Sequence, residues 1–186
     1  MADYNYSVSL KSDYSYALRG RGLLRKEQGD NTGAMADFNK LIAANPKDGL
    51  TYFDRGSLNN TLKDYAGAVS DFTNAILYNP TEMESYYNRA LSYKAMGNYK
   101  AAIADYDKYI SLNTDNTRYL ADGYQYRGIA KTAIKDYAGA IADLTVAIKL
   151  FPEDAAIYTA RADAYRKSGK IALATADETK AASLKK

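Results

Sequence analysis

Five arginines and five aspartates recur in step along the chain. Arg21, Arg55, Arg89, Arg127 and Arg161 are each followed sixteen residues later by Asp37, Asp71, Asp105, Asp143 and Asp177. A guanidinium is a planar fork of N–H donors, and a carboxylate accepts two of them side by side. Two chemistries fit such a series. Paired, the two series form a structural ladder of partly buried ion pairs that fixes how successive segments stack. Unpaired, the arginines form a cationic row able to grip phosphate or an acidic peptide. The complete set of matching aspartates favours the ladder, whose net stability is near zero although the loss of one partner is costly. Conventional catalysis has little to work with. The chain contains no cysteine and no histidine, which removes the thiolate nucleophile, the thiolate metal site and the usual general base at neutral pH. Lys, Asp, Glu and Tyr could still serve, but no spacing among them points to a catalytic or metal site, and no cofactor is expected.

The elements that must position these charges are repeats. DYAGAVSDFTNAI from Asp64, NYKAAIADYDKYI from Asn98 and DYAGAIADLTVAI from Asp136 nearly superimpose, with weaker copies at Asn31 and Lys170. Five columns follow. One is small: Gly22, Gly56, Ala90, Gly128 and Ala162. A second is alanine throughout: Ala34, Ala68, Ala102, Ala140 and Ala174. A large apolar column runs Leu18, Tyr52, Tyr86, Tyr124 and Tyr158, and another Phe38, Phe72, Tyr106, Leu144 and Glu178. All three prolines, Pro46, Pro80 and Pro152, close copies. Within each copy, two helix-period stretches flank a short turn such as Gly29-Asp30 or Gly97-Asn98, where glycine can take the left-handed conformation that ends a helix. Small residues let the two backbones approach, large ones fill the space between hairpins, and proline stops the second helix. Thr81 followed by Glu84 reads as a capping box.

These columns resemble the tetratricopeptide repeat family: a large aromatic, Gly or Ala four residues on, then Ala, Phe and Pro in the second half. Tyr or Leu replaces the family's Trp, and Thr114 stands where Pro is expected. The resemblance implies an all-α, right-handed α-solenoid of five helix-turn-helix repeats. Helix pairs are expected at about 12–28 and 31–44, 49–62 and 65–78, 82–95 and 98–112, 116–133 and 137–150, and 154–167 and 171–184. The repeats run at about 12–46, 47–80, 81–114, 115–152 and 153–186, making residues 12–186 a single solenoid behind an N-terminal arm, 1–11. Glu178 in place of the usual aromatic fits a last repeat whose outer side meets water.

In this family the first helix of each hairpin lines a concave groove. Its exposed face here offers Phe53, Asp54, Ser57 and Asn60, then Glu84, Tyr87, Asn88, Leu91 and Lys94, then Asp122, Gln125, Tyr126 and Ile129. Aromatics beside amides and carboxylates suit an extended or helical peptide. Stacking explains Tyr65, Tyr99 and Tyr137 at matching points of the repeats, and explains Tyr87 and Tyr126 least. Family members that capture the C-terminal tail of Hsp70 or Hsp90 place Lys and Asn, then Asn, then Lys and Arg on three successive first helices. The matching residues are Phe53, Ser57, Asn88, Asp122 and Tyr126, of which only Asn88 agrees. The preceding register offers Arg19, Leu23, Asp54, Glu84 and Asn88, with only Arg19 similar. Acidic groups there repel a carboxylate, so a chaperone-tail clamp is rejected.

The function expected is therefore a protein-binding module, an adaptor or scaffold for a protein or peptide partner, with no enzymatic activity. An RNA-binding helical repeat is the alternative, since arginines and tyrosines can stack bases. A net charge of +3 and acidic groove residues argue against nucleic acid. No run of about 18 apolar residues exists, so no membrane span is expected. The start MADYNYSVSLKSDY lacks the basic and apolar regions of a signal peptide. The lack of cysteine fits cytoplasm or periplasm equally. Two irregularities remain. Tyr4, Tyr6, Val8 and Leu10 alternate like a strand; the plain reading of the arm is a disordered terminus, and the alternative is that it lies in an apolar groove of the same chain or of a second copy, giving self-association. The interval from the third copy to the fourth is 38 residues rather than 34, the excess lying between Thr114 and Tyr124. Four residues make about one helical turn. The first helix of copy four is thus expected to begin a turn early, carrying Arg118, Tyr119 and Leu120 on a projection that could touch a ligand or a second chain; a longer irregular linker is the alternative.

Overall fold

A computed structural model describes residues 14–113 and 117–185. The arm 1–11 and residues 114–116, on which part of the early-helix expectation falls, lie outside the described residues. Ten helices occur among those described: α1 Tyr14–Glu27, α2 Asn31–Ala44, α3 Gly49–Thr61, α4 Tyr65–Tyr78, α5 Met83–Ala95, α6 Tyr99–Leu112, α7 Thr117–Ala133, α8 Tyr137–Leu150, α9 Ala155–Lys167 and α10 Ile171–Ser183. They form two compact units, one ending at Ser92 and the other beginning at Tyr93. In the first, α1 packs on α2, α2 on α3 and α3 on α4; in the second, α6 packs on α7, α7 on α8, α8 on α9 and α9 on α10.

The helices stop and start where the sequence supplies the chemistry. Asp30, Asp64, Asn98 and Asp136 each accept a hydrogen bond from the backbone N–H three residues on, at 2.9, 3.0, 3.3 and 3.0 Å, capping α2, α4, α6 and α8. Asp48 and Asp154 cap α3 and α9 by accepting from the N–H two residues on, that of Leu50 and of Ala156. Lys170, at the corresponding point before α10, makes no side-chain cap. Thr81 is a correction: α5 opens two residues later, at Met83, and the Thr81 hydroxyl donates to Asn79 Oδ1 instead.

Gly29, Gly97 and Gly169 turn the chain between paired helices with φ of +80°, +76° and +81°. In copies two and four the same place is held by Lys63 and Lys135, at φ 62° and 67°. A side chain in this left-handed region costs about 1–2 kcal/mol, which glycine avoids. Lys63→Gly and Lys135→Gly are therefore each expected to raise the unfolding free energy by about 0.5–1 kcal/mol, after allowing for the greater freedom of glycine in the unfolded chain. Gly29→Ala should lower it by about 1 kcal/mol, because nothing but backbone strain opposes a methyl group there. Urea denaturation followed by far-UV circular dichroism measures all three.

The core repeats with the columns. Every member of the alanine column, Ala34, Ala68, Ala102, Ala140 and Ala174, is fully buried, as are Phe38, Phe72, Tyr106 and Leu144. Glu178, the last in that series, is exposed and pairs with Arg166. A Cβ added to Gly22 would approach the Phe38 ring to 2.8 Å, one at Gly56 the Phe72 ring to 3.0 Å, and one at Gly128 the Leu144 side chain to 2.7 Å. The missing side chain on the first helix is the space that the large side chain of the second occupies.

Candidate peptide-binding faces

The charge ladder is the frame on which the first helices are set. Arg21 grips Asp37 through two hydrogen bonds, at 2.8 and 2.6 Å; Arg55 grips Asp71 at 2.9 and 2.6 Å. Arg127 holds Asp143 at 2.8 and 2.6 Å, and Arg161 holds Asp177 at 2.7 and 2.8 Å. The aspartates are buried and the arginines mostly so. Bonding to the carboxylate raises Arg55, Arg127 and Arg161 above the usual guanidinium range. Arg89 donates to Thr73 Oγ1 at 3.0 Å, and Asp105 is buried. The sequence reading missed a second layer: Arg55, Arg89, Arg127 and Arg161 each lie over the tyrosine three residues earlier, Tyr52, Tyr86, Tyr124 and Tyr158, at 5.7, 5.8, 5.1 and 5.9 Å. Residues i and i+3 share a helix face, so the recurring Tyr-x-x-Arg was the available signal.

In the first unit, polar groups on the candidate faces join one first helix to the next. Arg19 of α1 bonds Asp54 of α3 at 2.5 Å, and the Lys26 ammonium donates to Ser57 Oγ at 2.6 Å. The Ser92 hydroxyl of α5 donates to Asn60 Oδ1 at 2.8 Å. Asp54 is only 5% exposed, which corrects its assignment to an exposed face: α1 covers it. Burial pushes its carboxyl up, against the pull of Arg19 and Lys26, while burial pushes the Lys26 ammonium down against Asp54. Phe53 is half-buried, edge-on to Phe72 at 5.7 Å. Glu84, Tyr87, Asn88 and Leu91 are all half-buried along α5, and the Asn88 amide donates back to Glu84 O at 2.8 Å.

In the second unit, Gln125 is only 7% exposed, a second correction: α7 has α6, α8 and α9 around it, so more of its circumference is covered. Asp122 is half-buried and pairs with Arg118 at 3.3 Å; burial pushes its carboxyl up and Arg118 opposes the shift. Tyr126 is half-buried and stacks on the fully buried Tyr106, ring centroids 6.1 Å apart and 19° from parallel. The Lys94 ammonium lies over the other aromatic of that stack, 5.0 Å from the Tyr126 centroid.

The extra turn is helical from Thr117, making α7 seventeen residues long where α3, α5 and α9 have thirteen. Its arginine is engaged within the chain. Arg118 meets Asp122 and Asp154, each at 3.3 Å, and lies 4.6 Å above the Phe151 ring. Asp154 is the cap of α9, so the added turn braces the following hairpin. Tyr119 remains 42% exposed.

Helical hairpins repeated at this interval, with small residues at the crossings and large ones between, define a helical-repeat protein of the α-solenoid class. Two family models described as Tetratricopeptide repeat match residues 19–80 and 84–116. The chain belongs to the tetratricopeptide repeat family, whose fold supports protein–protein interaction. Among curated proteins none matches the sequence. Solved structures share the fold at low identity. A crystal structure of MamA is 23% identical, with a TM-score of 0.81 over 88% of this chain and 94% of that one. MamA from Desulfovibrio magneticus RS-1 is 17% identical, with a TM-score of 0.86 over 94% and 96%. YrrB, described as a TPR protein with an unusual peptide-binding site, is 13% identical, with a TM-score of 0.83 over 97% and 91%. Among the described residues, no helix is long and apolar enough to cross a membrane.

Proposed function

We propose that the chain binds an extended or helical peptide of a partner protein along the faces of its first helices, residues 12–186 acting as one adaptor or scaffold module. In this reading it works by binding, not by catalysis. The observation that carries it is the distribution of burial. Four of the ladder arginines are spent on aspartates, while Phe53, Tyr87, Leu91, Tyr126 and Ile129 stay half-buried on the first helices. Rigid rings beside amides and carboxylates supply contact area and backbone hydrogen bonds. Phe53, Ser57, Glu84, Tyr87, Asn88, Leu91, Asp122, Tyr126 and Ile129 are the proposed contacts; Asp54 and Gln125 support them from beneath. The peptide-binding site ascribed to YrrB is in keeping with this use of the fold. No observation favours RNA, because four ladder arginines already have carboxylates.

The test uses peptides selected on the full-length protein from a displayed random library. Tyr87→Ala and Ile129→Ser are each expected to weaken the best peptide at least tenfold while far-UV circular dichroism stays unchanged. Equal affinity in both variants would refute the groove.

A further inference from the structure

One position of the repeat stands immediately before the first helix, and in copies two, three and five it is acidic: Asp48, Glu82 and Asp154. Asp48 and Asp154 cap their helices, and Asp154 also meets Arg118. Three residues on, the Thr51 hydroxyl donates to Asp48 Oδ2 at 2.5 Å, while Ile157 has no hydroxyl to satisfy. Copy three differs. Glu82 is one methylene longer than aspartate. Its carboxyl turns to that of Glu84, and the Asn79 amide donates to it at 3.4 Å. Ser85, at the position of Thr51, is 0% exposed, and its hydroxyl has no hydrogen-bond partner within the chain.

The helix dipole favours acidic residues in a first turn, so the pair alone points to no ligand. Two further observations do. A cavity of about 30 Å³ lies between α3, the end of α4 and the start of α5, and Glu82 and Ser85 line it with Leu50, Phe53 and Asn79. It has room for the tip of one donor group or for a water bridging to it. A buried hydroxyl left without a partner there is costly. Glu82 and Glu84 are also half-buried, and among the described residues no cation lies within ion-pair distance of either. Like charges so placed repel unless a proton or a cation lies between them. The bond to Glu84, with burial and the Glu84 charge, pushes the Glu82 carboxyl up to about 7. Glu82 is the one charged group among the described residues lining the cavity.

We propose that Glu82 and Glu84, beside the Ser85 hydroxyl, are the point at which a cationic nitrogen of the bound peptide is recognised. This rests on the peptide-binding reading above, in which Phe53 and Glu84 are contacts, and adds the chemistry of the ligand. An ammonium or guanidinium there takes the place of the shared proton, donates charge-assisted hydrogen bonds to both carboxylates and can aim an N–H at Ser85 Oγ. A Lys or Arg side chain and a peptide N-terminus present the same donors, and the experiment separates them. Two random libraries are selected on the full-length protein at pH 8, one displaying peptides with a free N-terminus and one displaying them internally. Enrichment of Lys or Arg at one position in the internal library assigns a side chain. Binders from the free-terminus library alone, lost on acetylation, assign the amine. In either case Glu82→Gln with Glu84→Gln should weaken the best peptide at least tenfold and flatten the salt dependence of its affinity. A Lys or Arg peptide should bind the parent chain about tenfold more weakly at pH 6 than at pH 8, because at pH 6 the shared proton must first leave, and the double variant should lose this dependence. Glu153→Gln, which removes an exposed carboxylate outside the proposed contacts, should change the affinity less than twofold.

The proposal is overturned if the selected peptides show neither a cationic preference nor a need of a free amine, or if Glu82→Gln with Glu84→Gln binds within twofold of the parent chain. If Tyr87→Ala and Ile129→Ser still weaken binding in that case, the peptide groove stands and only the cation point falls. If those variants are also silent, or neither library yields a binder, both readings fall.

Discussion

Replacing Asp71 by alanine is expected to lower the unfolding free energy by about 3–5 kcal/mol, although replacing its whole charged cluster should cost little. Asp71 is 2% exposed and accepts hydrogen bonds from Arg55 Nε and Nη2 and from Asn59 Nδ2 at 2.9, 2.6 and 2.9 Å. Removing the carboxylate leaves a guanidinium and a buried amide facing a hole. Arg55 retains only its bond to Asn39 at 2.7 Å and its place over Tyr52. The attraction in the intact pair is largely offset by the desolvation of both charges, so an apolar replacement of the cluster loses neither term. Arg55→Met, Asn59→Leu and Asp71→Leu together should bring stability to within about 1 kcal/mol of the parent chain. Guanidinium chloride is itself a salt, so urea is the denaturant to use. If Asp71→Ala melts with the parent chain, the pair is an ornament of the surface and the ladder has no part in stacking.

Much of this frame was legible in the residues. The expected spans 31–44, 65–78 and 137–150 coincide with α2, α4 and α8, because each is bracketed by a capping Asp or Asn and a following Pro or Gly turn. The sixteen-residue offset of Arg and Asp gave the ladder for a geometric reason: it spans one turn of chain between two helices that must lie side by side. The failures have a common cause. Asp54 and Gln125 share a helical phase with exposed neighbours, and only the helix alongside decides that they are covered. Arg118 stands on a turn that was readable as extra, but its partners Asp154 and Phe151 lie over thirty residues away. Lys63 and Lys135 occupy a left-handed turn with no glycine to announce it.

The packing between paired helices gives the second large effect. Phe72→Ala is expected to lower stability by about 3–5 kcal/mol. The ring is fully buried and lies edge-on to Phe53 at 5.7 Å, and it fills the space that Gly56 leaves open. Truncation removes the contacts of an aromatic ring and leaves a cavity that two helices held by the Arg55–Asp71 pair cannot close. Gly56 is constrained from the other side. A Cβ there would stand 3.0 Å from Phe72 Cε1 and 3.1 Å from Asp71 Cβ, so Gly56→Ala forces the ring outward and should cost about 1–3 kcal/mol. The two positions share one volume and so cannot be independent. Phe72→Leu alone should lose about 1–2 kcal/mol through underpacking. Combined with Gly56→Ala, it should lose less than the sum of the two single changes, because the methyl group enters space that the smaller side chain vacates. Copy four shows the limit of this exchange: Gly128 faces Leu144, yet a Cβ there would still come within 2.7 Å of it. The rescue at Gly56 must therefore be partial, and a double-mutant cycle should return a coupling of about 0.5–2 kcal/mol. Strict additivity would mean that Gly56 and Phe72 do not share a space, and that the small column is set by helix ends or function instead of by close approach.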